Sequence, residues 1–217
     1  MKVLNLYAGI GGNRLLWKDI DVTAVEIDKD IADVYADLFP NDKVVVADAH
    51  EYLINNMNDF DFIWSSPPCP SHSRMRYYTG FLANRKYARV KPIYPDLKLY
   101  EEVILLDKWF DGEYVVENTL PYYEPLIQGR VMAKHIWWSN VEFPDFSIKT
   151  RGHMGTVESL QKLKGINLDK YKIKDKRKLL RNCVEPSVAL HIFKNTRGYQ
   201  NKSNGGVDVG EFSDTQP

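Results

Sequence analysis

The residues of this sequence best suited to chemistry are a cysteine and a carboxylate, each placed just beyond an apolar run. Cys69 stands in Trp64-Ser65-Ser66-Pro67-Pro68-Cys69-Pro70-Ser71-His72-Ser73, where two prolines fix the backbone ahead of it. A thiolate presented there is a nucleophile, and the plain alternative is a small buried apolar side chain. Glu117 follows Tyr114-Val115-Val116 and precedes Asn118-Thr119. Burial at the end of such a run raises a carboxyl pKa, so the group can hold or give a proton near neutral pH; an ion pair or a cap is the alternative. A third feature, Tyr7-Ala8-Gly9-Ile10-Gly11-Gly12, is a glycine turn that lets backbone approach a nucleotide-like ligand, although ligand-free glycine turns are common too. Glu26 lies at the distance from those glycines where nucleotide-binding folds place an acid on ribose hydroxyls. Asp48 can accept from an adenine amino group or cap a helix.

These residues need elements to hold them, and the apolar pattern supplies them. Short apolar runs at residues 3–6, 22–25, 44–46, 62–64, 115–116 and 136–138 predict strands. Helical patterns fall at 13–19, 31–38, 51–57 and 97–110. Alternation of strand and helix predicts an α/β fold with a doubly wound, mostly parallel sheet, whose ligands bind beyond the carboxyl ends of the strands. The candidates named above all fall just after a predicted strand. Residues 74–95 are long for a connection and predict a mobile lid. From residue 194 the chain is rich in Gly, Asn, Ser and Thr without an apolar face, which predicts a flexible tail over 194–217. The expectation is one catalytic domain over 1–193.

The chain has 217 residues, enough for one domain and too few for two large ones, and its 44% hydrophobic and 27% charged residues exclude a disordered or fibrous protein. No apolar run approaches the roughly 18 residues of a membrane helix, and the N-terminus lacks the pattern of a signal peptide, so a cytoplasmic protein without membrane association is expected. Cys69 and Cys183 lie far apart with no metal-ligand spacing, which predicts thiols and no metal. The net charge of zero conceals a strong segregation. Residues 1–73 carry five basic and twelve acidic groups, and 96–145 carry four and ten. Residues 74–95 carry six basic groups and no acid, while 146–202 carry 14 basic and four acidic. In 74–95 the charges alternate with Tyr77, Tyr78, Phe81 and Tyr87, which suits phosphate neutralisation beside base stacking. A solvated surface is the alternative for each run.

Taken in order, the glycine turn, Val25-Glu26-Ile27-Asp28, the segment around Pro67-Pro68-Cys69, Glu117-Asn118-Thr119 and Leu180-Arg181-Asn182-Cys183-Val184-Glu185-Pro186 resemble the motifs of the cytosine-5 DNA methyltransferase family. The likeness runs over about residues 3–193 and fits a small member of phage or bacterial type. It implies a Rossmann-like methyltransferase fold and S-adenosylmethionine as cofactor. The implied cofactor residues are Tyr7, Ala8, Gly9, Ile10, Gly11, Gly12, Glu26, Ile27, Asp48, Ala49, Pro68 and the turn of Asn182 and Val184. It further implies that Cys69 adds to C6 of a flipped-out cytosine in DNA, that Glu117 holds N3 and the exocyclic amine, and that Asn118 positions it. Ser73, Arg74, Arg76, Arg85, Lys86 and Arg89 would then face nucleic acid from the lid.

The sequence departs from the family at several places. Pro70 stands where glutamine is usual. The arginine-rich strand is Gly129-Arg130-Val131-Met132-Ala133-Lys134-His135-Ile136-Trp137-Trp138, so His135 as a catalytic group and Lys134 as a nucleic-acid contact, or Arg130, must take the arginine's part. Arg181 replaces a glycine and Glu185 a residue often apolar or proline, which predicts a looser turn. The recognition region is reduced to about 143–157, predicting low sequence specificity or a partner chain that lends it. The same chemistry on RNA, or a weakly catalytic nucleic-acid-binding subunit, are the alternative functions.

Overall fold

The computed structural model describes residues 1–74, 94–147 and 155–204. Its strands are β1 (Lys2–Leu6), β2 (Asp21–Glu26), β3 (Lys43–Val46), β4 (Phe62–Ser65), β5 (Glu113–Thr119), β6 (Arg130–Met132) and β7 (His135–Ser139). The helices are α1 (Lys29–Leu38), α2 (Ala49–Asn56), α3 (Lys98–Trp109), α4 (Val157–Lys164), α5 (Lys176–Asn182), α6 (Pro186–Phe193) and α7 (Arg197–Asn204). All seven strands form one sheet in the order β3-β2-β1-β4-β5-β7-β6. The five strands from β3 to β5 pair in parallel, and β7 is antiparallel to both β5 and β6. The doubly wound, mostly parallel sheet expected from the sequence is therefore present.

Two faces follow from the alternation of side chains along each strand. Leu4, Leu6, Ile63 and Val116 pack against Leu53 of α2 and Leu99, Val103 and Leu106 of α3. Val3, Val22, Phe62, Trp64 and Val115 face the other way, onto Val188, Ile192 and Phe193 of α6. Full burial of each such side chain contributes about 2 kcal/mol relative to exposure. Strand β4 is buried along its whole length, as suits a central parallel strand covered on both faces.

Two expectations are corrected. Residues 13–19 form turns rather than a helix, with the Trp17 N–H reaching only the Arg14 carbonyl at 3.1 Å. So short a helix would not repay its nucleation, and other groups satisfy the segment. Arg14 donates to the Trp17 carbonyl (2.6 Å) and to Asp42 (2.8 Å), the Asn13 amide donates to Asn5 (2.7 Å), and Asp19 turns the chain into β2 with φ 57°. The tail expected from 194 onward begins instead as the helix α7. Its first N–H, from Arg197, donates to Glu113 (2.8 Å) and the Arg197 guanidinium pairs with the same carboxylate (3.2 Å). Tyr199 meets Phe193 edge-on, so a polar sequence is held by two docking contacts that composition does not reveal. Residues 205–217 and all but the ends of the segment 74–95 lie outside the described residues, as do 148–154 of the reduced recognition region. Among the described residues no helix is long and apolar enough to cross a membrane.

Candidate active site at the switch point of the sheet

Strands β1 and β4 are neighbours although β2 and β3 separate them in sequence, so the winding of the sheet reverses between them. The crevice beyond the strand ends at such a reversal is where an open α/β sheet takes its ligand. The glycine turn leaves β1 there and the turn with Cys69 leaves β4 there.

The glycines have different duties. Gly9 has φ 55°, and a Cβ built on it would meet nothing within 4 Å, so it borders open space. A Cβ on Gly11 would lie 2.2 Å from the Phe39 ring, and one on Gly12 would lie 2.7 Å from the Cys183 Cβ, so these two are small because protein packs on them. Ala8 and Ile10 send their side chains into the core, leaving backbone toward the crevice. Glu26 is buried at the end of β2 and accepts from the Gly9 N–H (2.9 Å) and the Asp28 N–H (3.0 Å), which ties the second strand end to the turn. Asp48 caps α2 through Oδ1, accepting from the N–H groups of His50 (2.9 Å) and Glu51 (3.1 Å). The Glu51 N–H bond is the largest influence holding its pKa below the usual carboxylate range. Both capping bonds fall on one oxygen, so the cap and an acceptor role are compatible. Ile27 is exposed beside Glu26 and Ala49 is buried under α2.

The late turn is tighter than its sequence predicts. Asn182 ends α5 in an exposed position, and Val184 is buried where the chain crosses Gly12. Glu185, the departure from the family, pairs with Lys164 at 2.8 Å, and the Lys164 ammonium also donates to the Cys183 carbonyl at 2.9 Å. Lys164 is 2% exposed, so this ion pair is interior. Burial pushes the Cys183 thiol up to about 12, which makes it inert at neutral pH.

Pro67 is buried, Pro68 is exposed, and Cys69 is half-buried at the head of a 3₁₀ turn, Cys69–Ser71. The Asn118 amide donates to the Pro67 carbonyl at 3.0 Å across the paired ends of β4 and β5, where Ser65 is level with Val116. The turn that carries the cysteine and the strand that carries the carboxylate are thus joined by a buried hydrogen bond. Glu117 is 8% exposed, and its Oε2 has no hydrogen-bond partner among the described residues. Desolvation raises its pKa; His135, the Ser66 hydroxyl and Lys164 act in the opposite direction. His135 Nε2 stands 3.9 Å from that same oxygen, and its Nδ1 is 3.1 Å from the Ala133 carbonyl. Register places His135 opposite Thr119 and Trp137 opposite Glu117, so all four occupy one face of the sheet. The Thr119 Oγ1 is a second buried polar atom without a hydrogen-bond partner among the described residues.

Of the candidates for the missing arginine, only His135 is brought to Glu117. Arg130 is committed elsewhere, to the Phe143 carbonyl and to Asp145, with its guanidinium 4.8 Å over the Phe143 ring. Lys134 is exposed at the tip of the β6–β7 hairpin, where it and Ala133 both have positive φ (69° and 49°). Ser73 bridges to Pro121, and Arg74 Nε donates to the Pro121 carbonyl at 2.7 Å, which anchors the start of the expected lid. Arg76, Arg85, Lys86 and Arg89 lie outside the described residues.

Sequence reasoning missed three buried polar residues, Glu102, His72 and Lys164, and the half-buried His50. Glu102 and Lys164 each carried a signal, since both fall on the apolar stripe of their helix, between Leu99 and Leu106 and four residues after Leu160. A charged group on such a stripe must be paired.

The sequence profile of a family described as C-5 cytosine-specific DNA methylase matches residues 1–94. The type II methyltransferase M.Bsp6I of Bacillus sp. (strain RFL6) is 33% identical over 85 residues, 37% of this chain and 27% of that protein. The type II methyltransferase M1.HgaI of Avibacterium volantium is 29% identical over 163 residues, 66% of this chain and 45% of that one. The chain therefore spans less than half the length of either relative. A crystal structure of Spodoptera frugiperda DNMT2, a triple mutant, overlaps 54% of this chain and 35% of its own at 25% identity with a TM-score of 0.36. The residues that match this family's profile, 1–94, contain the glycine turn, Glu26, Asp48 and Cys69, so the likeness covers the cofactor crevice and the cysteine turn.

Proposed function

We propose that the chain transfers a methyl group from S-adenosylmethionine to C5 of cytosine in DNA, with Cys69 as the covalent nucleophile and the target base flipped out of the duplex. The observation that carries this reading is Glu117: a buried carboxylate with an open oxygen, joined through Asn118 and Pro67 to the turn that presents a cysteine.

The residues fit the cofactor. The open space at Gly9, the buried Glu26 and the Asp48 carboxylate offer backbone, ribose and adenine contacts in one crevice. S-adenosylmethionine, when bound, supplies an electrophilic methyl group. C5 of cytosine is a poor nucleophile until C6 is attacked. When the Cys69 sulfur bonds to C6 the C5–C6 double bond opens, electron density moves to N3, and C5 becomes an enamine carbon. Glu117, favoured in its protonated form by burial, hydrogen-bonds N3 and so stabilises that charge where it develops. Asn118 holds the geometry through Pro67, and His135 faces the same position from β7. With the methyl group on C5, a base takes the C5 proton, its bonding pair reforms the C5–C6 double bond, the Cys69 sulfur leaves C6 as thiolate, and the N3 proton returns to Glu117, which restores the ring. Neither carbon is reachable inside a duplex, which is why the base must leave the stack. The short recognition region leaves little to read bases in the major groove, and a partner chain is the proposed source of further specificity.

Bisulfite sequencing of DNA and RNA from a methylation-free bacterial host expressing the chain tests this reading. Protected cytosines are expected in DNA, in a loose sequence context, and none with Cys69→Ala. Protection confined to RNA would move the substrate, and protection that persists in Cys69→Ala would remove Cys69 as nucleophile.

A further inference from the structure

Glu102 on α3 is fully buried, yet it belongs to none of the motifs above. Its Oε1 accepts from the Tyr7 hydroxyl at 2.5 Å and lies 3.1 Å from His50 Nδ1, while its Oε2 accepts from the Ser65 hydroxyl at 2.7 Å. Each of these partners starts a different part of the crevice. Tyr7 opens the glycine turn after β1, His50 sits in the first turn of α2 beside Asp48, and Ser65 ends β4 just ahead of Pro67-Pro68-Cys69. The outer nitrogen of His50 is 3.5 Å from the exposed Glu101, so the imidazole is held between two carboxylates. A carboxylate has acceptor sites enough for all three donors, and a buried one is retained only if they are filled.

We propose that Glu102 is a positioning residue that couples the cofactor crevice to the nucleophile turn, so that the placement of Tyr7 and Asp48 and the placement of Cys69 are set by one buried carboxylate. The inference rests on the methyltransferase reading for what the crevice binds. The geometry supporting it is internal to the chain. Tyr7 has φ 54°, a backbone state that a side chain other than glycine holds only with support from its surroundings. The hydroxyl bond to Glu102 is that support. Ser65 is the last residue of β4, so its bond to the same carboxylate fixes the point from which the proline turn departs.

The test uses the full chain and two readouts, S-adenosylmethionine affinity by calorimetry and the rate of Cys69 labelling by a thiol reagent. Glu102→Ala is expected to weaken cofactor binding at least tenfold and to change Cys69 labelling at least threefold. Glu102→Gln, which keeps the shape and the Oε1 acceptor, should restore most of both. Glu102→Ala within twofold of wild type on both readouts overturns the proposal, as does Glu102→Gln that folds and is no better than the alanine variant. Should Glu102→Ala fail to fold, Tyr7→Phe and Ser65→Ala decide the matter, since each deletes one hydroxyl. If Glu102 couples them, their effects on cofactor affinity are non-additive in the double variant; additive effects overturn it. If the wild-type chain binds no S-adenosylmethionine, the cofactor reading fails by itself, and Cys69 labelling in Tyr7→Phe still reports the coupling.

Discussion

On the proposed mechanism, Glu117 is a residue unfavourable for the fold and useful to the site. Its carboxyl is held in the interior with one oxygen unpaired, and desolvation raises its pKa. The folded state therefore binds a proton that the unfolded chain releases near pH 4.3, with each unit of elevation worth about 1.4 kcal/mol. A raised carboxyl contributes fully below the unfolded value, and the contribution is lost as pH rises through the folded one. Glu117→Gln abolishes this titration. Denaturant unfolding across pH 4 to 8 should show the variant gaining on wild type as pH rises, while methylation falls to background; parallel stability curves would refute the elevated pKa. Thr119 is a milder instance. With its hydroxyl buried and unpartnered, Thr119→Val should be neutral or stabilising by up to about 1 kcal/mol in the same assay, since the desolvation cost is removed. These positions were legible in part. Glu117 stood out as a carboxylate after an apolar run, but the open oxygen depends on β7 lying antiparallel beside β5 and delivering His135, which no local pattern encodes.

At the scale of elements, the sequence was most legible where one local rule decides the outcome. Strands of continuous apolar residues and the Asp48 cap were available from residue types. It was least legible where a distant pair decides. The Asn182–Glu185 turn reads as loose, yet Lys164, from a helix earlier in the chain, pins it onto Gly12. Removing one partner of a buried pair leaves the other charge unpaired, so Lys164→Met should cost about 3 kcal/mol in denaturant unfolding. Adding Glu185→Leu should recover most of that loss; no recovery would mean that Lys164 acts through the Cys183 carbonyl instead. The β6–β7 hairpin carries an opposite tension. Ala133 and Lys134 both adopt positive φ at the two central positions of the turn, where Asn-Gly is preferred and an ordinary residue costs about 1 kcal/mol. Lys134→Gly should thus raise stability by about that amount and, if Lys134 meets a phosphate, weaken nucleic-acid binding. A variant that is less stable would show that the lysine side chain packs to advantage.

Across the whole molecule, charge and topology together suggest where a nucleic-acid strand runs. The basic residues 146–202 look in sequence like the larger binding surface, but the fold attaches part of them to the wrong half of the sheet for that role. Lys170 pairs with Asp37 at 2.5 Å and Tyr171 donates to the same carboxylate, which docks this run on α1 beside β2. Cys69 instead follows β4, Glu117 lies near the end of β5 and His135 opens β7, all in the other half. On the proposed reading, the phosphates flanking a flipped base are expected near Lys134 on the hairpin and Arg74 beside Pro121. Each phosphate contact contributes about 0.9 to the slope of log affinity against log salt on duplex DNA, so the two surfaces can be told apart by titration at several ionic strengths. Changing Arg85, Lys86 and Arg89 to alanine should flatten that slope by up to one contact per residue and leave S-adenosylmethionine affinity unaltered. Changing Lys172, Lys174 and Lys178 should leave it close to wild type. If the second set flattens the slope and the first does not, the strand crosses the cofactor half of the sheet, and the lid expected from the alternation of basic and aromatic residues in 74–95 has some other partner.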